Sequence, residues 1–364
     1  MTVVVKLGSS IVADDLGEVR ADVLDSVCEQ VAGVRAAGDD VVMVTSGAIA
    51  RGIRIMELGK RPTAMDALQA ASAVGQGDVF RAYESRLAGH GIRAAQVLLT
   101  LSDVSERAHY VNARQTLERL LRWRVLPVIN ENDTTSTEEI TFGDNDFLAA
   151  LVAVLLRARL LVLLTNTEGV FTADPRVDES AEMVTSIEDT SDFERIEIGE
   201  VSRFGRGGMG SKIASARIAS ESGVPVSICS GIRSGVLAEA VAGEPVGTRF
   251  TAHRADAISP YKLWLKYAKQ PAGTIRVDRG AAQRLRGSGS SLLPVGIVAA
   301  EGSFRSGDAV AVLDEDGAMV GKGITDFASS EVRRIMGRKS DYLQEHFPAA
   351  PAEVIHRDRF VLAS

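Results

Sequence analysis

Short apolar runs alternate with amphipathic stretches through the first two thirds of the chain, and this alternation is the strongest constraint on its fold. The runs lie at Val3–Val5, Val41–Val44, Val125–Ile129, Leu160–Leu164 and Val224–Ile228. Segments with helical periodicity lie among them, at residues 19–36, 66–88, 105–122, 145–156 and 209–222. Such runs are typical of parallel strands that are buried on both faces. We predict an open, mainly parallel α/β sheet sandwiched by helices, with ligands bound beyond the carboxyl ends of the strands.

The pattern changes after about Ala268, where helical periodicity fades. Strand-like pieces follow at Thr274–Val277, Gly296–Ala300, Ala309–Leu313 and Met319–Ile324, separated by turn residues. This spacing predicts a small, mainly β domain. The predicted organisation is a first domain at residues 1–262, a linker at 263–270, the β-rich domain at 271–348 and a C-terminal tail at 349–364.

Charge gives no general argument for nucleic-acid binding. The net charge is −7, and basic and acidic residues are equal in number from Pro271 onward. A nucleic-acid-binding domain normally carries a basic excess. RNA binding by the β-rich domain is therefore not supported, although a local basic patch stays open.

Three features of the sequence indicate a cytoplasmic protein. Cys28 and Cys229 form no CxxC pair, which predicts no zinc site and fits a reducing compartment. The N-terminus lacks the pattern of a signal peptide, and the most apolar stretch, residues 147–164, is interrupted by Arg157 and Arg159. We expect no membrane association.

Five polar or glycine-rich segments lie at strand ends or helix starts. They are Lys6–Ser10, Thr45–Ala48, Asn130–Asp133, Gly143–Asp146 and Gly205–Lys212. Taken alone, most of them are explained about as well by a turn, a helix cap or a flexible loop as by a ligand-binding site. The last is not a Walker motif, because Ser211 intervenes before the lysine. Together they supply two lysines on glycine-rich loops with nearby carboxylates, which suits phosphoryl transfer.

These segments, in this order, resemble the amino acid kinase family and, within it, the glutamate 5-kinases. The motifs Val-Val-Lys6-Leu-Gly8-Ser, Asn130-Glu-Asn-Asp133, Gly143-Asp-Asn145-Asp and Gly207-Gly-Met-Gly-Ser-Lys212 carry the resemblance. Similar stretches include Ala73-Val-Gly-Gln76. The C-terminal part, with Gly287-Ser-Gly-Ser-Ser-Leu-Leu-Pro294, resembles a PUA domain.

The resemblance implies a phosphotransferase with a carboxyl group as acceptor. It would use ATP and Mg²⁺ to convert L-glutamate to γ-glutamyl phosphate, the first step of proline biosynthesis. The implied glutamate-binding residues are Ser46, Asp133 and Asn145. The implied catalytic residues are Lys6 and Lys212, which flank the transferred phosphoryl group, and Asp146, which organises them. The resemblance assigns no metal ligand.

The implied nucleotide contacts are Lys6, Thr165, Asn166, Arg206, Gly207, Gly208, Met209, Gly210, Ser211 and Lys212. Some relatives carry aspartate at the position of Asn166, and threonine or serine is common at that of Arg206. The asparagine keeps hydrogen-bonding capacity. The arginine either contacts a phosphate or is solvated, and the sequence leaves both readings open.

The resemblance also implies proline as feedback inhibitor, a homo-oligomer (dimer or tetramer) and channelling to glutamyl-phosphate reductase. Aspartokinase, acetylglutamate kinase, carbamate kinase and uridylate kinase are the alternative activities. A regulatory or RNA-binding protein with a relic kinase domain is the alternative of a different class, which the intact Lys6, Asp146 and Lys212 disfavour.

Overall fold

The computed structural model describes residues 1–14, 16–100, 103, 107–135, 145–188, 208–252, 262, 265–266, 271–338 and 351–363. The chain divides into two compact units, Met1–Ala257 and Ile258–Ser364. Of the predicted site, Arg206 and Gly207 lie outside the described residues. The predicted linker at 263–270 also falls mostly outside them, and its bounds stay a prediction.

The first unit is built on an eight-stranded sheet in the order β3-β4-β2-β1-β5-β9-β10-β8. Its strands, with the separate β6–β7 pair, are β1 (Thr2–Leu7), β2 (Asp40–Val44), β3 (Ala94–Leu99), β4 (Leu126–Glu131), β5 (Leu160–Thr165), β6 (Val170–Phe171), β7 (Met183–Val184), β8 (Ser186–Ile187), β9 (Val226–Ser230) and β10 (Thr248–Phe250). The six strands from β3 to β9 in that order are parallel. The predicted parallel α/β sheet is confirmed.

Eight helices of the described residues belong to this unit. They are α1 (Ser9–Val12), α2 (Ala21–Ala36), α3 (Ala48–Ile55), α4 (Met65–Gly89), α5 (Arg107–Arg122), α6 (Asn145–Leu155), α7 (Met209–Glu221) and α8 (Val236–Ala242). The five predicted helices match α2, α4, α5, α6 and α7 to within two residues. The three short helices, each of eight residues or fewer, were not predicted, since they have too few turns for a periodicity to show.

Strand β1 lies inside the sheet and sets the position of the strand ends around it. In the register, Lys6 is opposite Val44 on β2 and Leu163 on β5. Because all these strands are parallel, their carboxyl ends meet at one edge, as they do for β4. The segments that follow β1, β2, β4 and β5 are thereby brought together.

Helices α3 and α4 approach so closely that two glycines are required where they cross. A Cβ at Gly52 would lie 1.7 Å from the carbonyl oxygen of Ala71, and one at Gly75 would lie 2.0 Å from that of Ala48. Helix α3 begins directly after the predicted substrate loop at Ser46. The glycine crossing therefore fixes α4 against the start of that loop.

We predict that Gly75→Ala destabilises the protein, because the new methyl group would overlap backbone rather than a movable side chain. Overpacking of this kind costs about 1–3 kcal/mol, and a backbone clash lies at the upper end or above it. The midpoint of urea or thermal unfolding of the full-length chain measures the effect.

Gly77→Ala is the matched control, two residues further along the same helix. Its added Cβ would meet only the side chain of Arg81, at an ordinary 3.6 Å. Replacing an unconstrained helical glycine by alanine stabilises by about 0.5–1 kcal/mol. Equal stability changes in the two variants would contradict the close crossing.

The second unit holds a five-stranded sheet in the order β12-β11-β13-β14-β15. The strands are β11 (Gly273–Val277), β12 (Ile297–Gly302), β13 (Ala309–Leu313), β14 (Met319–Ile324) and β15 (Phe360–Leu362). Strands β11 and β13 are parallel and the other pairs are antiparallel. The prediction of a mainly β domain is confirmed.

Two details of this unit correct the sequence analysis. Helices α9 (Arg279–Ser288) and α10 (Ser329–Ile335) are present where helical periodicity was expected to fade. The Asp278 side chain caps the first by accepting from Ala281 N, at 2.7 Å. The described part of the predicted tail, residues 351–363, belongs to this unit, since β15 pairs with β14 and buried Ile355 belongs to the core of the unit.

Among the described residues, none of the helices is both long enough and apolar enough to span a membrane.

Candidate active site

A buried carboxylate joins two lysines from distant parts of the first unit. Asp146 stands in the first turn of α6, and its Oδ1 forms an ion pair with Nζ of Lys6 at the end of β1. Its Oδ2 accepts a hydrogen bond from Nζ of Lys212, on the first turn of α7, at 3.1 Å. All three side chains are buried. The three predicted catalytic residues thus form one cluster, which we call the Lys-Asp-Lys triad.

The two ammonium groups decide the ionisation of Asp146. Burial by itself would raise the pKa of this carboxyl group, but the charges and hydrogen bonds of Lys6 and Lys212 outweigh it and hold the pKa below its usual range. The N-terminus of α6 adds a favourable dipole for the carboxylate. The triad places two positive charges side by side, an arrangement suited to the charge that gathers on a transferred phosphoryl group.

The three predicted glutamate-binding residues lie at the carboxyl-end edge of the same sheet. Ser46 follows β2 and is buried, and Gly47 after it has a φ of +94°, which favours glycine. Thr45 before it donates to the hydroxyl of fully buried Tyr83, at 2.9 Å. Asn145 accepts from Glu131 N through Oδ1, at 3.1 Å. That bond ties the start of α6 to the end of β4.

Two acceptor oxygens, one near the carboxyl end of β4 and one just after the strand, are buried without a partner among the described residues. They are Oδ1 of Asp133 and Oδ1 of Asn130. Buried polar atoms are almost always hydrogen-bonded, so two orphaned acceptors in one short segment indicate a ligand that donates. An ammonium group supplies three donors and a positive charge.

Helix α4 holds the other polar atom of each of these two side chains. Ser72 Oγ donates to Asp133 Oδ2 at 2.6 Å, and Asn130 Nδ2 donates to Gln76 Oε1 at 2.7 Å. Asn130 was predicted only as part of the ligand-contact segment Asn130–Asp133, and no role was predicted for Ser72 or Gln76. A signal for the serine exists, because it falls on the buried stripe of α4.

The predicted nucleotide contacts that the structure describes lie along the opposite part of the edge. Thr165 ends β5 and is buried, whereas Asn166 after it is exposed. The helix start of α7 contributes Gly208, Met209, Gly210 and Ser211, all half-buried, and then Lys212. Ser211 Oγ also lies 3.5 Å from Asp146 Oδ2, so this helix start reaches the triad.

The described residues contain no group of three or more His, Cys, Asp and Glu side chains arranged to hold a metal. Asp146, the carboxylate at the triad, is already engaged by both lysines. These residues therefore do not by themselves form a protein cage for Mg²⁺.

Comparison with known proteins assigns the family. Residues 1–230 match the amino acid kinase family, and residues 273–347 match the PUA domain. The chain belongs to the amino acid kinase family. The predicted family, its PUA domain and its class as a phosphotransferase are confirmed.

Individual relatives of this amino acid kinase agree with the assignment. The chain is 44% identical over 362 residues to glutamate 5-kinase from Chromohalobacter salexigens, covering 99% of this chain and 95% of that one. It is also 44% identical to glutamate 5-kinase from Burkholderia mallei, covering 99% and 97%. A solved UMP kinase from Bacillus anthracis superposes with a TM-score of 0.50 at 18% identity, over 71% of this chain and 98% of that one. This last likeness supports the fold alone.

We predict that asparagine substitutions at two buried carboxylates change stability in opposite directions. Burial raises the pKa of Asp133, with the Ser72 hydrogen bond opposing, so its ionisation costs folding free energy. The free energy of unfolding should therefore fall as pH rises from the unfolded pKa of this group through its folded pKa. Asp133→Asn should remove this fall and be more stable than wild type at neutral pH, measured by urea unfolding across pH.

Asp146→Asn should be destabilising by about 3–5 kcal/mol, since it leaves two buried ammonium groups without their carboxylate. The pKa of Asp146 is depressed, so its stabilisation is present above the unfolded pKa and is lost as pH falls through the folded pKa. The penalty of the substitution should shrink in acid accordingly. A loss of similar size in both asparagine variants would show that the two carboxylates are not held as described.

Proposed function

We propose that this chain transfers the γ-phosphoryl group of ATP to the side-chain carboxylate of L-glutamate. The products are γ-glutamyl phosphate and ADP, and the reaction is the first step of proline biosynthesis. The observation that carries the proposal is the pairing, at one sheet edge, of the Lys-Asp-Lys triad with the orphaned acceptors of Asn130 and Asp133. The near full-length relatives named glutamate 5-kinase support it.

The order of strands in the sheet sets the approximate distance between the triad and the orphaned acceptors. Strand β4 lies two strands from β1, which corresponds to about 10 Å at ordinary strand spacing. A linear amino acid with its ammonium group at the end of β4 would extend its far carboxylate toward the triad. The phosphoryl group would occupy the remaining distance.

In this proposal each end of glutamate has its own protein contacts. Asp133 Oδ1 and Asn130 Oδ1 accept from the α-ammonium group. Ser46 and the amide of Asn145, whose Oδ1 is already used by Glu131 N, offer donors for carboxylate oxygens. N-acetylglutamate has one neutral amide N–H in place of the ammonium group, so it would leave at least one of these acceptors unpaired, which is unfavourable in a buried site.

Lys6 and Lys212 stabilise the negative charge of the phosphoryl group during its transfer, and Asp146 keeps both ammonium groups in position. Thr165, Asn166 and the segment 206–212 hold the nucleotide. Mg²⁺ enters with ATP, since this ion is commonly bound through substrate phosphates. Arg206 and Gly207 remain proposed nucleotide contacts from the sequence alone.

The remaining proposals follow from the family resemblance alone. Proline inhibits by feedback, the chain forms a dimer or tetramer in the cytoplasm, and γ-glutamyl phosphate is passed to glutamyl-phosphate reductase. RNA binding by the PUA domain is not proposed, because this part of the chain has no basic excess.

A substrate panel tests the reaction. ADP release with MgATP should depend on L-glutamate, and hydroxylamine should trap the acyl phosphate as γ-glutamyl hydroxamate. L-aspartate and N-acetylglutamate serve as the competing acceptors. Faster turnover of either competitor than of glutamate would contradict the proposed substrate.

We predict that Lys212→Ala lowers kcat by about 100-fold or more, because its charge matters most in the transition state. The KM for glutamate should change much less. Lys60→Ala is the matched control, since Lys60 is an exposed lysine of the same unit. Turnover by Lys212→Ala equal to that of the control would exclude the role given to Lys212.

A further inference from the structure

Ser72 is the described side chain that holds the Asp133 carboxylate in place. It lies on α4, 61 residues from Asp133 in sequence, and its hydroxyl donates to Oδ2 at 2.6 Å. Both side chains are buried, at 2% and 5% exposure. The other carboxylate oxygen, Oδ1, is the orphaned acceptor.

We propose that Ser72 is a positioning residue for substrate recognition: by fixing Oδ2 of Asp133 it presents Oδ1 to the α-ammonium group of the amino acid. The inference rests on the function proposed above, since it names what sets the affinity of that same site. Ser72 itself does not touch the reacting atoms.

The geometry gives Ser72 two effects on Asp133. A short hydrogen bond to a carboxylate is among the stronger ones, and it fixes the rotation of the carboxylate about its Cβ–Cγ bond. It also favours the ionised form. Burial raises the pKa of Asp133 and the hydroxyl lowers it, and none of the described charged or titratable groups on the surrounding elements adds a third influence. Without the hydroxyl, Asp133 would stay protonated up to a higher pH, and the protonated form does not attract an ammonium group.

The fold makes this support rigid. Helix α4 is held against α3 by the crossing at Gly52 and Gly75, and Ser72 lies one turn before the second of these glycines. Gln76, four residues after Ser72 and therefore on the same face of the helix, accepts from Asn130. One helix face thus holds both side chains that carry the orphaned acceptors.

The test compares full-length Ser72→Ala with wild type and with Ser85→Ala. Ser85 is an exposed serine further along the same helix, and its hydroxyl bonds only to the carbonyl oxygen of Ala82 within that helix. For Ser72→Ala we expect the KM for glutamate to rise about 10-fold, the effect of one hydrogen bond to a charged group. The KM for ATP and the kcat at saturating glutamate should stay at their wild-type values. A fall in kcat with an unchanged KM for glutamate would overturn the proposal.

The pH profile separates positioning from a merely structural role. The acid limb of kcat/KM for glutamate, where Asp133 becomes protonated in the free enzyme, should move to higher pH in Ser72→Ala and stay in place in Ser85→Ala. An unmoved acid limb in Ser72→Ala would overturn the proposal.

Unfolding across pH gives a readout that needs no substrate. Wild type loses stability as pH rises through the folded pKa of Asp133, and in Ser72→Ala this loss should extend to higher pH. In an Asp133→Asn background the effect of Ser72→Ala should be independent of pH. A pH-independent effect in both backgrounds would overturn the inference. If glutamate is not the substrate, the proposed function fails while this measurement still decides the role of Ser72.

Discussion

The first unit depends on one buried carboxylate that neutralises charge from two distant segments. Lys6 and Lys212 are separated by most of the unit's sequence, and each would be costly to bury alone. Asp146 allows both to be buried by pairing with each of them through a different oxygen. For this to happen, β1 must lie inside the sheet and α6 and α7 must start at the same edge. The triad is therefore both the proposed chemical centre and a constraint on how the strands and helices are arranged.

A second constraint acts at the part of the site proposed to bind the substrate. Helix α4 can reach the segment after β4 only because Gly52 and Gly75 let it cross α3 at backbone contact. The same crossing lies next to the loop that carries Ser46, since α3 starts there. Two glycines with no chemical role of their own thereby couple the proposed substrate contact at Ser46 to the proposed contacts with the ammonium group of glutamate.

Much of this fold could be predicted from the sequence, because buried parallel strands and long helices have clear patterns. Strand β3 was missed since it lies at the edge of the sheet, half exposed, and begins Ala-Ala-Gln. Strand β15 was missed because three residues near the end of the chain give no periodicity. The segments that carry the lysines, Asp146 and the glutamate-binding candidates were found because polar residues at strand ends and helix starts stand out against apolar runs. The roles of the individual residues came from the family resemblance. Ser72 was missed because its place on the buried stripe of α4 indicates burial but names no partner, and only the tertiary fold shows which carboxylate it meets.

The two buried aspartates show how one site can hold carboxylates in different states. The charge of Asp146 is compensated by Lys6 and Lys212 before any ligand binds, and its pKa is lowered. Asp133 keeps one oxygen unpaired, so its charge is only partly compensated and its pKa is raised. A group left in that state gains its missing partner when a cationic ligand arrives, and the binding energy includes relief of the unmet hydrogen bond. The hydroxyl of Ser72 matters for this reason: it favours the ionised carboxylate, which attracts such a ligand, and it leaves unpaired the oxygen that would receive that ligand.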